Sequence, residues 1–209
     1  TPPYNYMNPG SKSYDNKDVP NSGDKTLYYD GKATGIAIGN NTNALNKEYS
    51  SNGIAIGDYS RATGGLAMSL GSFSTADSNG AVAIGTSSRA SGVNSLSMMR
   101  QSSATGDYST AIGSVAWSAG QSSFALGASA TAKGNQSIAI GSLEQKKSAD
   151  GLGTPITKYN GLDNTQTNGD RSMALGTNAK TNGDDSFAIG YKSRTGEFNT
   201  VMDSYLGEN

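Results

Sequence analysis

Large apolar residues recur two positions apart along this chain, with Ala or Ser between them, as in Gly35–Gly39 and Ser137–Gly141. The runs end at positions 39, 57, 71, 85, 99, 113, 127, 141, 176 and 190. Seven of the nine intervals are fourteen residues, and the two others, 18 and 35, contain insertions. A fixed period with insertions confined to two places indicates stacked structural units, one for each repeat.

Each run predicts a short strand with two unlike faces. The residues one and three positions before the end of a run are large and apolar in 19 of 20 cases, and the residue between them is always Ala or Ser. Such period-two alternation is typical of a β-strand. We expect the large side chains to form a thin core in each unit and the small ones to face outward.

The second half of each repeat predicts another strand, with small residues inward three and five positions after the run and longer side chains outward. Glycine recurs at the end of the run and seven positions later, where we expect tight turns. Two strands and two turns make one flattened coil. The sequence therefore predicts an all-β, single-chain parallel β-roll (a β-solenoid) of 14-residue coils, stacked about 4.8 Å apart.

The amino-acid composition limits the kinds of functional site that the chain can form. The net charge is −1, and the chain contains neither cysteine nor histidine. The charge gives no reason to expect a nucleic-acid partner, and the missing residue types exclude disulfides, thiolate sites and histidine-dependent nucleophiles. No pair of carboxylates recurs at a spacing suited to acid–base catalysis. We therefore expect no enzyme, no cofactor and no metal site.

Repetition of one small-residue face suggests self-association about a parallel axis, because only small side chains allow strands of neighbouring chains to approach closely. On this reasoning the predicted contact between chains, which is a trimer interface if the family resemblance described next holds, consists of Ala37, Ala55, Ala83, Ala111, Ala125, Ala139, Ala174 and Ala188.

Several runs resemble the repeat of YadA-like heads, the head domains of trimeric autotransporter adhesins of Gram-negative bacteria. The resemblance is carried by Asn94–Met98, Asn135–Gly141 and Ala81–Gly85, and by the repeat ends Ser88–Gly92 and Ser60–Gly64. It implies a left-handed roll, assembly as a homotrimer, and display at the outer membrane as a cell-surface virulence factor that mediates cell adhesion. Contact with the membrane is expected only through a C-terminal anchor that this sequence lacks.

The period and the resemblance together suggest a domain layout. Residues 1–34 precede the repeats and form either a cap on the first coil or a Tyr-rich arm that contacts a partner. Residues 35–204 form the β-roll head, with a projecting loop inserted at about 142–168 that either binds a partner or is a tolerated insertion. Residues 205–209 form a tail toward a missing neck and stalk.

The resemblance implies that the head binds a host surface or matrix protein, of the collagen, fibronectin or immunoglobulin-like receptor class. The alternative is a β-solenoid that binds or processes polysaccharide. Unusual outward residues mark a candidate ligand-binding surface, since exposed aromatic and Arg side chains are typical of interaction hot spots. The candidates are Tyr59, Phe73, Arg89, Gln101, Val115 and Trp117. For Trp117 the competing interpretation is packing against a neighbouring chain or the inserted loop.

Overall fold

Fourteen-residue repeats close into coils in the computed structural model, which describes residues 26–29, 34–44, 53–144 and 164–195. The chain divides into unit 1, Thr1–Tyr108, and unit 2, Ser109–Asn209, which are described separately. Among the described residues every regular element is a β-strand, and the two units together contain about ten turns of a parallel β-solenoid. The predicted all-β class and the coil period are confirmed.

Unit 1 contains ten strands in the part of the chain that is described. They are β1 (Thr26–Tyr29), β2 (Thr34–Ile38), β3 (Ile54–Ile56), β4 (Arg61–Ala62), β5 (Met68–Leu70), β6 (Thr75–Ala76), β7 (Val82–Ile84), β8 (Arg89–Ala90), β9 (Leu96–Met98) and β10 (Ser103–Ala104). Sheet 1 of this unit has the order β1-β2-β3-β5-β7-β9, and sheet 2 has the order β4-β6-β8-β10. Successive coils stack in parallel and in register, so that Ala55 lies beside Ser69 and Ser69 beside Ala83.

Unit 2 repeats the arrangement over ten further strands within the described residues. They are β11 (Thr110–Ile112), β12 (Trp117–Ser118), β13 (Phe124–Leu126), β14 (Thr131–Ala132), β15 (Ile138–Ile140), β16 (Gln166–Thr167), β17 (Met173–Leu175), β18 (Lys180–Thr181), β19 (Phe187–Ile189) and β20 (Arg194–Thr195). Its sheet 1 has the order β11-β13-β15-β17-β19 and its sheet 2 the order β12-β14-β16-β18-β20. The insertion leaves the register intact, because β14 pairs directly with β16.

The first strand departs from the solenoid pattern. β1 pairs antiparallel with β2, with Thr26 opposite Ala37 and Tyr29 opposite Thr34. It therefore covers the edge of sheet 1, as a cap on the first coil would. The rest of the predicted cap or arm, at 1–25 and 30–33, lies outside the described residues. So do the centre of the predicted loop, at 145–163, and the tail at 205–209.

The prediction about which strand face points inward is wrong. The alanines at the centre of the sheet 1 strands are inside the coil of their own chain, with Ala55, Ala83 and Ala139 fully buried and Ala37 only 3% exposed. The predicted trimer interface is therefore corrected at all eight positions: Ala37, Ala55, Ala83, Ala111, Ala125, Ala139, Ala174 and Ala188 are interior residues. The physical reason is that the coil is too narrow to hold large side chains. The small residues of sheet 2, such as Ala62 and Ala76, fill the same interior from the opposite side.

The large apolar residues of sheet 1 consequently lie on the outside of the coil. Ile38, Ile56, Leu126, Leu175, Phe187 and Ile189 are 37–43% exposed, and the other large residues of these strands are partly exposed. The predicted orientation of sheet 2 is confirmed, since its small residues are buried and its longer ones point outward.

Serine makes this narrow interior possible because its hydroxyl group pairs with turn carbonyls and with other hydroxyls. Ser95 donates to the carbonyl of Gly92 at 2.6 Å, and Ser137 donates to that of Gly134 at 2.7 Å. Inside one coil of unit 1 the hydroxyl oxygens of Ser69 and Ser74 are 2.6 Å apart. These contacts satisfy polar groups that burial would otherwise leave unpaired.

The recurring glycines have two different physical causes. Those at the ends of the runs, such as Gly57 (φ 122°) and Gly85 (φ 123°), have backbone angles that are unfavourable for residues with side chains. Those seven positions later are needed for space, because a Cβ on Gly92 would lie 1.9 Å from the carbonyl oxygen of Gly106 in the next coil. Met99 replaces a glycine of the first kind and keeps a positive φ, at 90°.

Candidate functional site

Four of the six candidate ligand-binding residues occupy one kind of turn. Tyr59, Phe73, Gln101 and Val115 each stand two positions after the end of a run, with φ between 56° and 60°. The sequence pattern indicated an outward strand position there, but the residues belong to the left-handed turn that precedes each strand of sheet 2. The turn projects the side chain away from the coil: Tyr59 is 45% exposed and Phe73 is 58% exposed.

Tyr59 and Phe73 form a stacked pair. Their ring centroids are 5.1 Å apart and their planes differ by 2°, which confirms the separation of about 5 Å expected from coil stacking. The backbone places the rings, because the N–H of Tyr59 donates to Asn40 and that of Phe73 donates to Asp58, each in the preceding coil. Two flat apolar surfaces are therefore held rigidly at an exposed edge of unit 1.

The other two candidates in unit 1 are engaged in polar contacts. The guanidinium of Arg89, in β8, lies 3.6 Å from a carboxylate oxygen of Asp77, and both side chains are partly exposed. The side-chain oxygen of Gln101 accepts a hydrogen bond from Arg100 at 2.7 Å. The sequence pattern was not used to predict a role for Asp77. It follows Thr75, an outward residue of sheet 2, by two positions, and this spacing places it on the same face as Arg89.

Val115 and Trp117 belong to unit 2. Trp117 begins β12, where it pairs in register with Thr131 of β14. Its backbone N–H donates to the backbone carbonyl of Ala130 at 2.8 Å. Its indole points outward and is 41% exposed. The structure thus directly brings together Tyr59 and Phe73 in unit 1, and it places Trp117 on the outer face of sheet 2 in unit 2.

Unit 2 contains a polar cluster around Glu144 that was not predicted from the sequence. The carboxylate of Glu144, just before the inserted segment, accepts a hydrogen bond from the Tyr191 hydroxyl and lies 3.0 Å from the ammonium of Lys192. The amide of Asn178 donates to its other oxygen at 3.3 Å. The hydrogen bond from Tyr191, followed by that from Lys192, holds the pKa of Glu144 below its ordinary value. Asn178 is 34 residues from Glu144 along the chain and Tyr191 is 47 residues away, with Lys192 next to it, so the local sequence pattern did not predict these contacts.

Within residues 26–29, 34–44, 53–144 and 164–195, no group of three or more Asp and Glu side chains could hold a metal ion. In the same residues no helix is long and apolar enough to cross a membrane. What the described surface offers instead is exposed aromatic, amide and charged side chains on a rigid stack of coils.

The architecture is that of a repeat protein whose outer surfaces are built coil by coil. A family model described as the YadA head domain repeat (2 copies) matches residues 62–88, 76–98, 90–116, 118–143 and 168–193. These matches cover a little over half of the chain, and each spans about two coils. The chain belongs to the family of YadA head domain repeats. This family indicates a bacterial adhesin exposed at the cell surface, and its members are in general not enzymes. A search of curated proteins finds no match for this chain.

Proposed function

We propose that this chain is the head of a homotrimeric adhesin on the outer membrane of a Gram-negative bacterium, and that it binds a host receptor or matrix protein without catalysis. The observation that carries the proposal is the row of large apolar side chains on the outside of the YadA-type coils in each unit. A secreted repeat protein with this surface needs a partner for it, and the family supplies the expectation of two further copies in a left-handed roll.

We define the apolar face as the outward side chains of sheet 1. In unit 1 they are Ile36, Ile38, Ile54, Ile56, Met68, Leu70, Val82, Ile84, Leu96 and Met98. In unit 2 they are Thr110, Ile112, Phe124, Leu126, Ile138, Ile140, Met173, Leu175, Phe187 and Ile189. Thr110 is the one polar member among them.

The apolar face supports self-association for two reasons. First, monomeric proteins rarely expose contiguous apolar patches larger than a few hundred Å², and here each coil adds two large side chains to the same side. Second, a repeated face is the same on each copy, so parallel chains related by rotation can match coil to coil. The apolar face therefore replaces the interior alanines as the proposed contact between chains.

We place ligand binding on the surfaces that trimerisation through sheet 1 leaves accessible. In unit 1 the stacked rings of Tyr59 and Phe73 are the strongest candidate, because both are exposed and stacked, and Arg61 follows Tyr59 by two residues at the start of β4. Rigid aromatic groups beside an Arg are typical of residues that dominate binding energy. In unit 2 the candidate is Trp117.

Adhesion of beads coated with the purified protein tests this function. The beads are applied to surfaces carrying collagen, fibronectin or immunoglobulin-like receptor ectodomains, and adhesion is compared with uncoated beads. We expect retention on at least one surface. Retention on none of the three, by a protein that light scattering shows to be a trimer, would argue against the proposed ligand class.

The binding residues are tested with Tyr59→Asn and Phe73→Asn, since Asn tolerates the left-handed backbone better than most residues. Ser87→Asn is the matched control, because Ser87 has the same turn position and φ (57°) in unit 1. We expect the aromatic variants to lose affinity by on the order of 2 kcal/mol each and the control to retain it. Trp117→Ala addresses unit 2 in the same assay.

A further inference from the structure

The outer face of sheet 2 in unit 2 carries a column of side chains that changes from aromatic to cationic. Parallel pairing keeps one outward residue per coil in register along β12, β14, β16, β18 and β20. The residues of this column are, in order, Trp117, Thr131, Gln166, Lys180 and Arg194; Thr131 is the buried member, since its hydroxyl oxygen accepts a hydrogen bond from the amide of Asn164. With strands about 4.8 Å apart, four steps give the column a length of about 19 Å.

A second column, two residues further along each coil, adds one more cation and two amides. Its members are Ala119, Lys133, Asn168 and Asn182. We call the two columns together the cationic face. Neither column contains a carboxylate among the residues that the structure describes, so Lys133, Lys180 and Arg194 give the face a net charge of one sign.

The corresponding face of unit 1 is different, because there Asp77 lies 3.6 Å from Arg89. In unit 2 the nearest carboxylates along the chain, Asp170 and Asp184, follow the second column by two residues. They stand in the turn, where they accept backbone N–H groups at 2.7 and 2.8 Å. They border the cationic face without lying on it.

The polar groups of the face are held in place. The side-chain amide of Gln166 donates to the oxygen of Asn168, whose own amide donates to Asn182 at 2.8 Å. Arg194 is fixed at the other edge by a bond to the side-chain oxygen of Asn178 at 3.2 Å. Because these amides already bond to one another, their orientation is fixed, and their remaining donors and acceptors point to solvent in a defined arrangement.

We propose that the cationic face binds a linear anionic polysaccharide, whose carboxylate or sulfate groups contact the cations. Hydroxyl groups of such a chain match the amides of Gln166, Asn168 and Asn182, and the apolar side of a sugar ring fits a flat, exposed indole such as that of Trp117. Lys and Arg are the side chains suited to carboxylate and sulfate oxygens. This inference rests on the proposed adhesin function and adds a second class of partner to the protein ligand proposed above.

A peptide partner fits this surface less well. The backbone groups of the central strands are used within the sheet, since Thr131 donates to Thr165, Gln166 to Ala179 and Lys180 to Ser193, each at 2.9 Å. Strand addition needs an unpaired edge, and peptide side chains need pockets. The face instead presents side chains from paired strands, which favours a ligand recognised through hydroxyl and anionic groups.

Trp117 is the fluorescent probe for a binding experiment, because it is the one tryptophan of the chain. Its fluorescence is followed while the intact protein is titrated with a sulfated heparin-derived oligosaccharide, an unsulfated hyaluronan oligosaccharide, or a neutral maltooligosaccharide of similar length. We expect a saturable change with at least one anionic probe and none with the neutral one. The two anionic probes distinguish sulfate from carboxylate recognition. We expect binding to weaken as NaCl rises from about 0.05 to about 0.5 M.

The decisive variant is Lys133→Gln with Lys180→Gln, compared with Arg171→Gln with Lys192→Gln, which removes the same charge from turn positions of unit 2 outside the cationic face. We expect the first to weaken binding about tenfold or more, equivalent to at least about 1.4 kcal/mol, and the second by less than about twofold. Circular dichroism verifies that both variants keep the wild-type fold.

Three results would overturn the proposal: equal binding of the neutral probe, equal weakening by the two double variants, or equal affinity for a poly-glutamate peptide. Absence of binding to both anionic probes would also overturn it. If bead adhesion to a protein surface persisted in that case, the adhesin function would stand and only the polysaccharide partner would fail.

Discussion

The hydroxyl oxygens of Ser97 and Ser102 lie 2.7 Å apart in the interior of one coil, where both residues are buried. Ser102 also donates to the carbonyl of Met99 at 2.9 Å, so it joins the strand to the turn. The interior of this fold is therefore built on paired hydroxyl groups as much as on apolar contact, and the two members of such a pair have unequal roles.

This inequality predicts different costs for two similar substitutions. Ser97→Ala removes one hydrogen bond and leaves Ser102 bonded to Met99, so we expect a loss of about 1 kcal/mol. Ser102→Ala leaves the Ser97 hydroxyl without this partner and removes the side-chain donor to the Met99 carbonyl, so the loss should be larger, about 1–3 kcal/mol. Denaturant unfolding of the two variants measures the order. The double variant should cost less than the sum of the single ones, and equal single costs would contradict this account.

A second prediction separates the interior face of a strand from its exterior face. Ala83 is fully buried and Ile84 is partly exposed, although they are neighbours in β7. Ala83→Leu should overfill the coil and reduce the free energy of unfolding by about 1–3 kcal/mol. Ile84→Glu should leave the circular dichroism spectrum intact but place a charge in the proposed contact between chains, so we expect light scattering to show monomers in place of the proposed trimers.

Thr75→Glu is the control for Ile84→Glu, because it places the same charge on the outer face of sheet 2 in the same unit. We expect this variant to remain trimeric. A trimeric Ile84→Glu variant would exclude the apolar face as the interface, and an unchanged stability of Ala83→Leu would contradict the narrow interior.

Residues 82–84 also show what the sequence could and could not predict. The fourteen-residue period was sufficient to predict the coil boundaries and the strand register, because stacked repeats must pair equivalent residues. The inward face was assigned wrongly, since the general preference for large buried side chains was applied to a coil too narrow to contain them. The small residues of sheet 2, such as Ala76 and Ala90, were correctly placed inside, and they already implied that the facing strands contribute small residues too.

The candidate site was predictable to a similar extent. Stacking of equivalent positions was enough to predict the Tyr59–Phe73 pair, because adjacent coils place them side by side. The Glu144 cluster was not predictable, because it joins residues on both sides of an insertion whose path the period does not specify. The left-handed turn positions were also missed, since nothing in the side chains of Tyr59 or Val115 favours a positive φ.

A third prediction concerns Met99, whose φ of 90° lies in the region that favours glycine. Relief of a cost of about 1–2 kcal/mol should exceed the entropic penalty of adding a glycine, about 0.5–1 kcal/mol. We therefore expect Met99→Gly to stabilise the protein by roughly 0.5–1 kcal/mol, which corresponds to a Tm increase of up to about 4 °C for a chain of this size.

Met99→Ala distinguishes strain from packing, since it keeps the Cβ and removes the rest of the side chain. If strain dominates, Met99→Ala should not share the gain of Met99→Gly. A loss of stability in both variants would show that the Met99 side chain contributes packing that outweighs its backbone conformation.

The last prediction follows from the hydrogen bonds that Tyr191 and Lys192 make to Glu144. They lower the pKa of this carboxyl below its ordinary value of 4.5 in the folded protein. A group whose pKa is lower when folded binds fewer protons in the folded than in the unfolded state, so its contribution to stability is complete above the ordinary pKa. That contribution should be lost progressively as the pH falls below 4.5 and through the lowered pKa.

We therefore expect the Tm difference between the wild type and Glu144→Gln to be largest near neutral pH and to disappear once the carboxyl is protonated. Asp185→Asn is the comparison, because Arg171 lowers the pKa of Asp185 as well, but their ion pair is exposed to solvent and such pairs contribute little. Melting curves of the three proteins between about pH 3 and about pH 7 measure both effects. A Glu144→Gln effect that is the same at every pH would mean that the carboxylate charge contributes nothing and that the side chain acts only through its shape.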